Sequence, residues 1–323
     1  MKVSVIIPNF NNAIYLSECI DSVVNQGFNV VKEIIIVDDH SSDASWHILS
    51  KYKKKYPNKI HIFKNSKKGV QSARNLGFEK STGKYIQWLD SDDVLGPNKI
   101  SNQLKSLVNK EKNVISFCGF VHFENDTKDL IPKPNIVWRN YNNPIDWLID
   151  SWSGGGMGQT ACWLTPRELC EKSFWDKKWI INQDGIYFLE IILKSKTILF
   201  TNNAMVYYRK PKITNISRQK SKPVLVSLLK SYKYYEKILK ITDTKEIRKA
   251  LAVNYANFIA YVYPNFKDLQ SIAKKDILLL GLKKIPSFGG KRFRILRFFI
   301  GLYPAIKLSK KINLYKLKHY ENK

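Results

Sequence analysis

Tyr85-Ile86-Gln87-Trp88-Leu89-Asp90-Ser91-Asp92-Asp93 is the stretch that decides the fold. A short, mainly apolar run reads as a strand, and here it delivers three carboxylates and a serine at its carboxyl end. Upstream, strands and helices alternate. Val3–Ile7 is a buried apolar run that Pro8 stops. Leu16, Cys19, Ile20, Val23 and Val24 follow at helical spacing. Glu33–Val37 is a second buried strand. The polar run Asp38-Asp39-His40-Ser41-Ser42-Asp43 then favours a turn and a helix N-cap, with Trp46, Leu49 and Tyr52 or Lys53 on the helix. Lys59–Phe63 makes a third strand, Val70–Glu79 a helix, Ser81-Thr82-Gly83-Lys84 a turn and Tyr85–Leu89 the fourth strand. This order predicts an α/β fold with a mostly parallel sheet flanked by helices. Ligands of such sheets bind outside the carboxyl ends of the strands, where the acidic clusters fall.

Downstream the pattern is mixed. Val114–Phe123 reads as one or two strands, and Pro132, Pro134 and Pro144 mark irregular connections. Ser153-Gly154-Gly155-Gly156-Met157-Gly158-Gln159 reads as a flexible loop before a strand at Thr160–Leu164. A helix led by Pro166, a helix at Gly185–Lys194 and strands near Ile198–Phe200 and Met205–Tyr208 follow. Residues 222–320 read as helices broken at Pro264, Pro286-Ser287-Phe288-Gly289-Gly290 and Pro304.

The formal charge of the 323-residue chain is +27, and it is unevenly spread. Residues 209–323 hold 28 Lys and Arg against 6 Asp and Glu; the first 208 hold 26 against 21. Such asymmetry points to an anionic surface, lipid or nucleic acid, with a solvated helical face as the plainer reading. Cys19, Cys118, Cys162 and Cys170 lack CxxC spacing, which argues against a zinc site and fits a reducing compartment. Met1-Lys2 runs straight into a strand, and the uncharged run Ala250–Phe266 falls short of the roughly 18 apolar residues of a spanning helix. A cytoplasmic protein is the expectation.

Asp90-Ser91-Asp92 is an Asp-x-Asp at a strand end, an oxygen-only donor set that suits Mg²⁺ or Mn²⁺ bridging to substrate phosphates; an acidic turn is the alternative. Asp38-Asp39 can accept hydrogen bonds from a base or ribose, or cap the next helix. Arg74, in Gly69-Val70-Gln71-Ser72-Ala73-Arg74-Asn75-Leu76-Gly77, can pair with a carboxylate or phosphate, or face solvent. Asp184 in Gln183-Asp184-Gly185 reads as an N-cap or as a general base.

Taken in order, Pro8-Asn9-Phe10-Asn11, Val37-Asp38-Asp39-His40-Ser41, Ala73-Arg74-Asn75-Leu76-Gly77, Leu89-Asp90-Ser91-Asp92-Asp93 and Gln183-Asp184 resemble the family 2 glycosyltransferases of the GT-A fold found in bacterial surface-polysaccharide synthesis. Gly158–Leu164 and Tyr207-Tyr208-Arg209 also look like members of that group. The resemblance covers roughly residues 1–215. It implies a Rossmann-like GT-A domain over 1–215, with a nucleotide-binding half at about 1–93 and an acceptor half at about 94–215, and leaves 216–323 as a basic helical region. It implies a nucleotide-sugar site drawing on Pro8, Phe10, Asn11, Asp38, Asp39, Arg74, Asp90 and Ser91, a metal ligand in Asp92 and a catalytic base in Asp184. Gln183 stands where the family has glutamate. The implied reaction is metal-dependent and inverting, from a nucleotide-diphosphate sugar, commonly a UDP-sugar, to a saccharide or lipid-linked acceptor, with Mn²⁺ or Mg²⁺ as cofactor.

Two other readings compete. Asp90-Ser91-Asp92-Asp93-Val94 fits the pattern of haloacid-dehalogenase-like phosphohydrolases, which place it on the first strand, whereas three strands precede it here. A non-catalytic membrane-docking protein is the other. No Gly-x-Gly-x-x-Gly follows the first strand, and Gly154–Gly158 lacks a P-loop ending. Lys291-Arg292-Phe293-Arg294-Ile295-Leu296-Arg297-Phe298-Phe299-Ile300 mixes cations with bulky apolar residues as interfacial helices do, so the expectation is peripheral docking on the inner face of the membrane rather than nucleic-acid binding.

Overall fold

The structure, a computed structural model, describes residues 2–210 and 221–321. The expected boundary at 215/216 lies outside the described residues. Contacts gather the chain into two units, Met1–Trp147 with Met157–Arg218, and Leu148–Gly156 with Gln219–Lys323. Residues 148–156, expected within the acceptor half at 94–215, go with the second unit.

The first unit is α/β. Its elements are β1 (Val3–Asn9), α1 (Ala13–Val24), β2 (Val31–Asp38), α2 (Ser45–Lys55), β3 (Ile60–Lys64), α3 (Val70–Lys80), β4 (Tyr85–Trp88), β5 (Val94–Leu95), α4 (Lys99–Ser106), β6 (Val114–Phe123), α5 (Pro144–Asp150, running on into the second unit), β7 (Trp163–Pro166), α6 (Arg167–Cys170), α7 (Gln183–Lys194) and β8 (Thr197–Arg209). The eight strands form one sheet in the order β3-β2-β1-β4-β7-β6-β8-β5. β3, β2, β1 and β4 run parallel, β7 is antiparallel to β4 and β6, and β5 is antiparallel to β8. Every residue of β1 is buried, as expected of a central parallel strand covered on both faces.

The strand ends differ from the sequence reading in places. β5 was not anticipated, because two residues carry no periodicity. Ile198–Phe200 and Met205–Tyr208 are one strand: its register against β6 shifts between Cys118 and Gly119, and the exposed Asn202 and Asn203 that suggest a turn sit in that irregularity. Thr160–Cys162 is a 3₁₀ turn, and the strand there runs from Trp163 to Pro166.

The second unit comprises α8 (Lys222–Leu239), α9 (Lys245–Val262), α10 (Lys267–Leu279), α11 (Lys291–Ile300), α12 (Leu302–Glu321) and the short segment 148–156. Leu225, Leu229, Tyr255, Phe258, Ile259, Leu269, Ile277 and Phe288 form its core. Ser153–Gly155, the start of the expected loop Ser153–Gln159, belong to the helical turn Ser151–Gly155, and Trp152 there stacks on Tyr235 with centroids 5.1 Å apart. Pro304 does not break the last helix. It lies in the first turn of α12, where its missing N–H costs nothing, and Gly301 at φ +80° makes the break. Among the described residues no helix is long and apolar enough to cross a membrane.

α3 lies against β1 and β2 because it carries small residues on that side. Ala73 packs on Ile35 and Val37, and a Cβ at Gly77 would come within 2.4 Å of the Ile6 Cγ2. Ile6 is fully buried in a central strand and has nowhere to go. Gly77→Ala should therefore lower stability by about 1–2 kcal/mol, overpacking outweighing the gain in helix propensity. A fall in the urea midpoint at unchanged slope is the expected readout.

Candidate functional site

The site is assembled around α3. Arg74 donates from Nη2 to Asp90 Oδ1 at 2.7 Å, and its guanidinium lies 4.2 Å from the Trp175 ring centroid. Asn75 clamps the Trp175 backbone in both directions, donating to its carbonyl at 2.9 Å and accepting from its N–H at 3.1 Å. Gln71 donates to the Trp179 carbonyl at 2.9 Å. Trp175 also stacks on Tyr187 of α7 and meets Trp88 of β4 edge-on. Consecutive residues of one helix therefore hold the sheet, the acidic strand end and the segment leading to Asp184. The surface reading of Arg74 is corrected: its side chain is 8% exposed, against 35% for Asp90.

The loops after β1 and β2 are tied to each other. Asn9 stands opposite Asp38 in register and donates to its Oδ1 at 2.8 Å, while Ser41 N donates to Oδ2 at 3.0 Å. Ser42 N donates to Asn11 Oδ1 at 2.7 Å, with Asn11 at φ +47°. Asp39 accepts from Asn65 Nδ2 at 2.7 Å and from the N–H of Gly69, whose φ of +122° only glycine adopts readily. Neither aspartate caps α2, whose N-cap is Ala44; Asp43 bonds Ser45 N and, at 2.9 Å, Ala13 N at the start of α1. Pro8 is buried in β1, and Phe10 beyond it is 52% exposed, a flat apolar surface beside these loops.

At the end of β4 the acids meet different environments. Ser91 is buried and accepts from Asn12 Nδ2 at 2.9 Å, which takes the side chain that would otherwise cap α1. Asp92 is half-buried. Asp93 is buried, and burial, with the Asp92 and Asp90 charges, holds its carboxyl well above the usual carboxylate range against the opposing pull of the Arg209 N–H and charge. Arg209 ends β8. It donates to the Asp92 carbonyl at 2.9 Å and the Glu124 carbonyl at 2.6 Å, pairs with Glu18, and lies between the rings of Tyr15 and Phe123. Its neighbour Tyr208 has its phenol pKa pushed up by burial and by the charges of Asp93, Asp90, Asp92 and Asp184.

Asp184 thus shares the field of the strand-end acids at Tyr208. It lies in the first turn of α7, after an N-cap at Asn182 (φ +62°), so its N-cap reading is corrected. A carboxylate in a first turn is favoured by the helix dipole. Gln183 donates from Nε2 to the Ile180 carbonyl at 3.2 Å, a bond a glutamate could not make.

Among the described residues no three His, Cys, Asp or Glu side chains gather as a metal cluster. Asp90 is engaged by Arg74 and Asp93 is turned inward, which leaves no closed protein cage. The oxygen-only set still fits a hard cation held by one or two carboxylates, with water and substrate phosphate completing its shell. A cavity of about 1020 Å³ lies between α3 and residues 171–177, lined in part by Asn65, Lys67, Asn75 and Trp175; none of the acids assigned to the site lines it.

Sequence reasoning named Arg74, Asp90 and Asp92 as candidates, and the structure pairs the first two; it did not single out Asn12, Glu18, Asn65 and Trp175, which act through long-range pairing that no local pattern signals. Tyr207-Tyr208-Arg209 carried only a resemblance. Its partners appear once β8 is seen beside β5.

The model of the family described as Glycosyl transferase family 2 matches residues 4–174. The minor teichoic acid biosynthesis protein GgaB of Bacillus subtilis is 42% identical over 37% of the chain and 13% of its own length. The poly(ribitol-phosphate) beta-glucosyltransferase of Bacillus spizizenii is 45% identical over 65% of the chain and 30% of its own length. The chain therefore spans under a third of either relative. Among solved structures, S. aureus TarS 1-349 in complex with UDP-GlcNAc superposes with a TM-score of 0.59 at 15% identity, covering 94% of this chain and 93% of that one. GalNAc-T7 with UDP, GalNAc and Mn2+ gives 0.58 at 15% identity, over 87% of this chain and 56% of that one. The fold is GT-A.

Arg209 binds the acidic turn through packing, charge and hydrogen bonds at once. Arg209→Ala should cost about 2–4 kcal/mol, and Arg209→Lys should recover only part of it, since one ammonium cannot span the same partners. Thermal denaturation of the two variants beside the parent chain measures both.

Proposed function

The chain belongs to glycosyl transferase family 2, and from that premise we propose that it moves a sugar from a nucleotide-diphosphate donor, a UDP-sugar, to a hydroxyl of a saccharide or lipid-linked saccharide, inverting the anomeric carbon. The observation that carries this reading is the placement of Asp90, Ser91 and Asp92 just beyond the carboxyl end of β4 in a parallel sheet, with Asp90 held by Arg74 at 2.7 Å. The solved neighbour with UDP-GlcNAc supports the donor class, and the relative named for poly(ribitol phosphate) supports a hydroxyl-bearing polymer as acceptor.

In this reading Pro8, Phe10 and Asn11 flank the base, and Asp39 accepts from it on the oxygen capacity left beside Asn65 and Gly69. Asp38 keeps the base loop in shape through Asn9 and Ser41. Asp90 and Ser91 orient the sugar, Asp90 being fixed by Arg74. A divalent cation, Mg²⁺ or Mn²⁺, would be held by Asp92 and would neutralise the diphosphate. Asp184 takes the proton of the acceptor hydroxyl as the oxygen bonds to the anomeric carbon and the bond to the diphosphate breaks. Tyr208, kept protonated, can only donate or accept a hydrogen bond there.

Asp184→Asn and Asp92→Ala should each lower transfer from a UDP-sugar panel by about a hundredfold to ten-thousandfold, with unchanged circular dichroism. Full activity in either variant removes that residue from the mechanism. Chelation should abolish transfer and Mn²⁺ should restore it; activity indifferent to chelator would sink the metal assignment.

A further inference from the structure

α11 is pinned on one side and bare on the other. Phe293 packs on Phe288 with centroids 5.2 Å apart, and Arg297 donates to the carbonyls of Pro286 and Ile285, each at 2.7 Å. The helix is thus anchored to the core of its own unit. The opposite face carries Ile295, Phe298 and Phe299, which are 50%, 83% and 76% exposed. Lys291, Arg292 and Arg294 are exposed beside them, and no residue of the helix is fully buried. Lys291, Arg294, Ile295, Phe298 and Phe299 line a shallow open groove of about 350 Å³.

No Asp or Glu occurs from Lys291 to Tyr320, a stretch that also carries the exposed Lys307, Leu308, Lys311 and Ile312. Solvent alone does not account for two neighbouring phenylalanines left mostly in water among like charges. An acidic protein would answer the cations and leave the rings uncovered. A bilayer with anionic headgroups answers both, with phosphates at the level of the guanidinium groups and acyl chains below for the rings. Ten helical residues span only about 15 Å, half a hydrocarbon core, so the helix would lie in the interface and not cross it.

We infer that the outer face of α11 docks this chain on an anionic lipid surface, with Phe298 and Phe299 inserted and Lys291, Arg292 and Arg294 against headgroup phosphates. This holds whatever sugar is transferred and does not depend on the proposed reaction.

The test is flotation of the full chain with vesicles of phosphatidylcholine containing phosphatidylglycerol, and with phosphatidylcholine alone. Binding to the anionic vesicles only, weakened as salt rises, is expected. Phe298→Ser with Phe299→Ser should lower partitioning at least about tenfold. Arg292→Gln with Arg294→Gln should lower it about twenty-fivefold, about fivefold per cation. Both pairs are exposed, and circular dichroism should show the helix content retained. Absence of binding to anionic vesicles, or binding unchanged in both double variants, overturns the inference. So does light scattering that shows self-association lost in the phenylalanine variant while vesicles are ignored, since the face would then join copies of the chain.

Discussion

The ion pair between Arg74 and Asp90 is the constraint on which the first unit's active edge depends. A guanidinium at 8% exposure is tolerable only if its charge is answered, and here a carboxylate 2.7 Å away and an indole face 4.2 Å away answer it. The pair fixes α3 relative to the end of β4. Because Asn75 and Gln71 on the same helix hold the backbone at Trp175 and Trp179, the approach to α7 is fixed as well. Asp184 is thereby set by a chain of contacts that begins at the acidic strand end. The Ala-Arg-Asn-Leu-Gly run has a physical reason at four of its positions: Ala73 and Gly77 let the helix approach the sheet, Arg74 reaches the acid, and Asn75 clamps the tryptophan backbone.

Around that frame the loops arrive already bonded. Asn9, Asp38 and Ser41 form one small network, and Asp39, Asn65 and Gly69 another. The positive-φ residues Asn11 and Gly69 are held by bonds from Ser42 N to Asn11 Oδ1 and from Gly69 N to Asp39. Loops bonded in this way have little left to order if a ligand binds them, so less contact energy is lost to entropy.

The parallel half of the fold was legible because buried parallel strands write themselves as continuous apolar runs, as Val3–Ile7 and Glu33–Val37 do. The antiparallel half was less so. β5 has two residues, β7 begins only after a 3₁₀ turn, and β8 contains polar asparagines at an irregularity, so each breaks the periodic signal. Residue identity at the site was readable where chemistry is unusual, as with acids at a strand end. Partnership was not. Nothing local to Asn12 announces a bond to Ser91, 79 positions on, and nothing near Arg209 announces Glu18, 191 positions back. Taken singly, Asp38, Asp39 and Asp184 read more readily as caps, and only the cap geometry at Ala44 and Asn182 separates the cases.

The division of labour among the acids follows from their surroundings. Asp93 is buried beside two like charges, and burial with those charges holds its carboxyl well above the usual carboxylate range. Asp90 has part of its charge answered by Arg74, which leaves it a hydrogen-bond acceptor of fixed orientation. Asp92, half-buried and presented on a turn whose backbone Arg209 holds, is positioned without being enclosed. Asp184 comes from another element, the first turn of α7. A buried carboxyl such as Asp93 is withdrawn from substrate, and one bonded to arginine, as Asp90 is, has fewer free lone pairs to offer. The proton-accepting role proposed for Asp184 therefore falls to a carboxylate outside the Asp-x-Asp cluster.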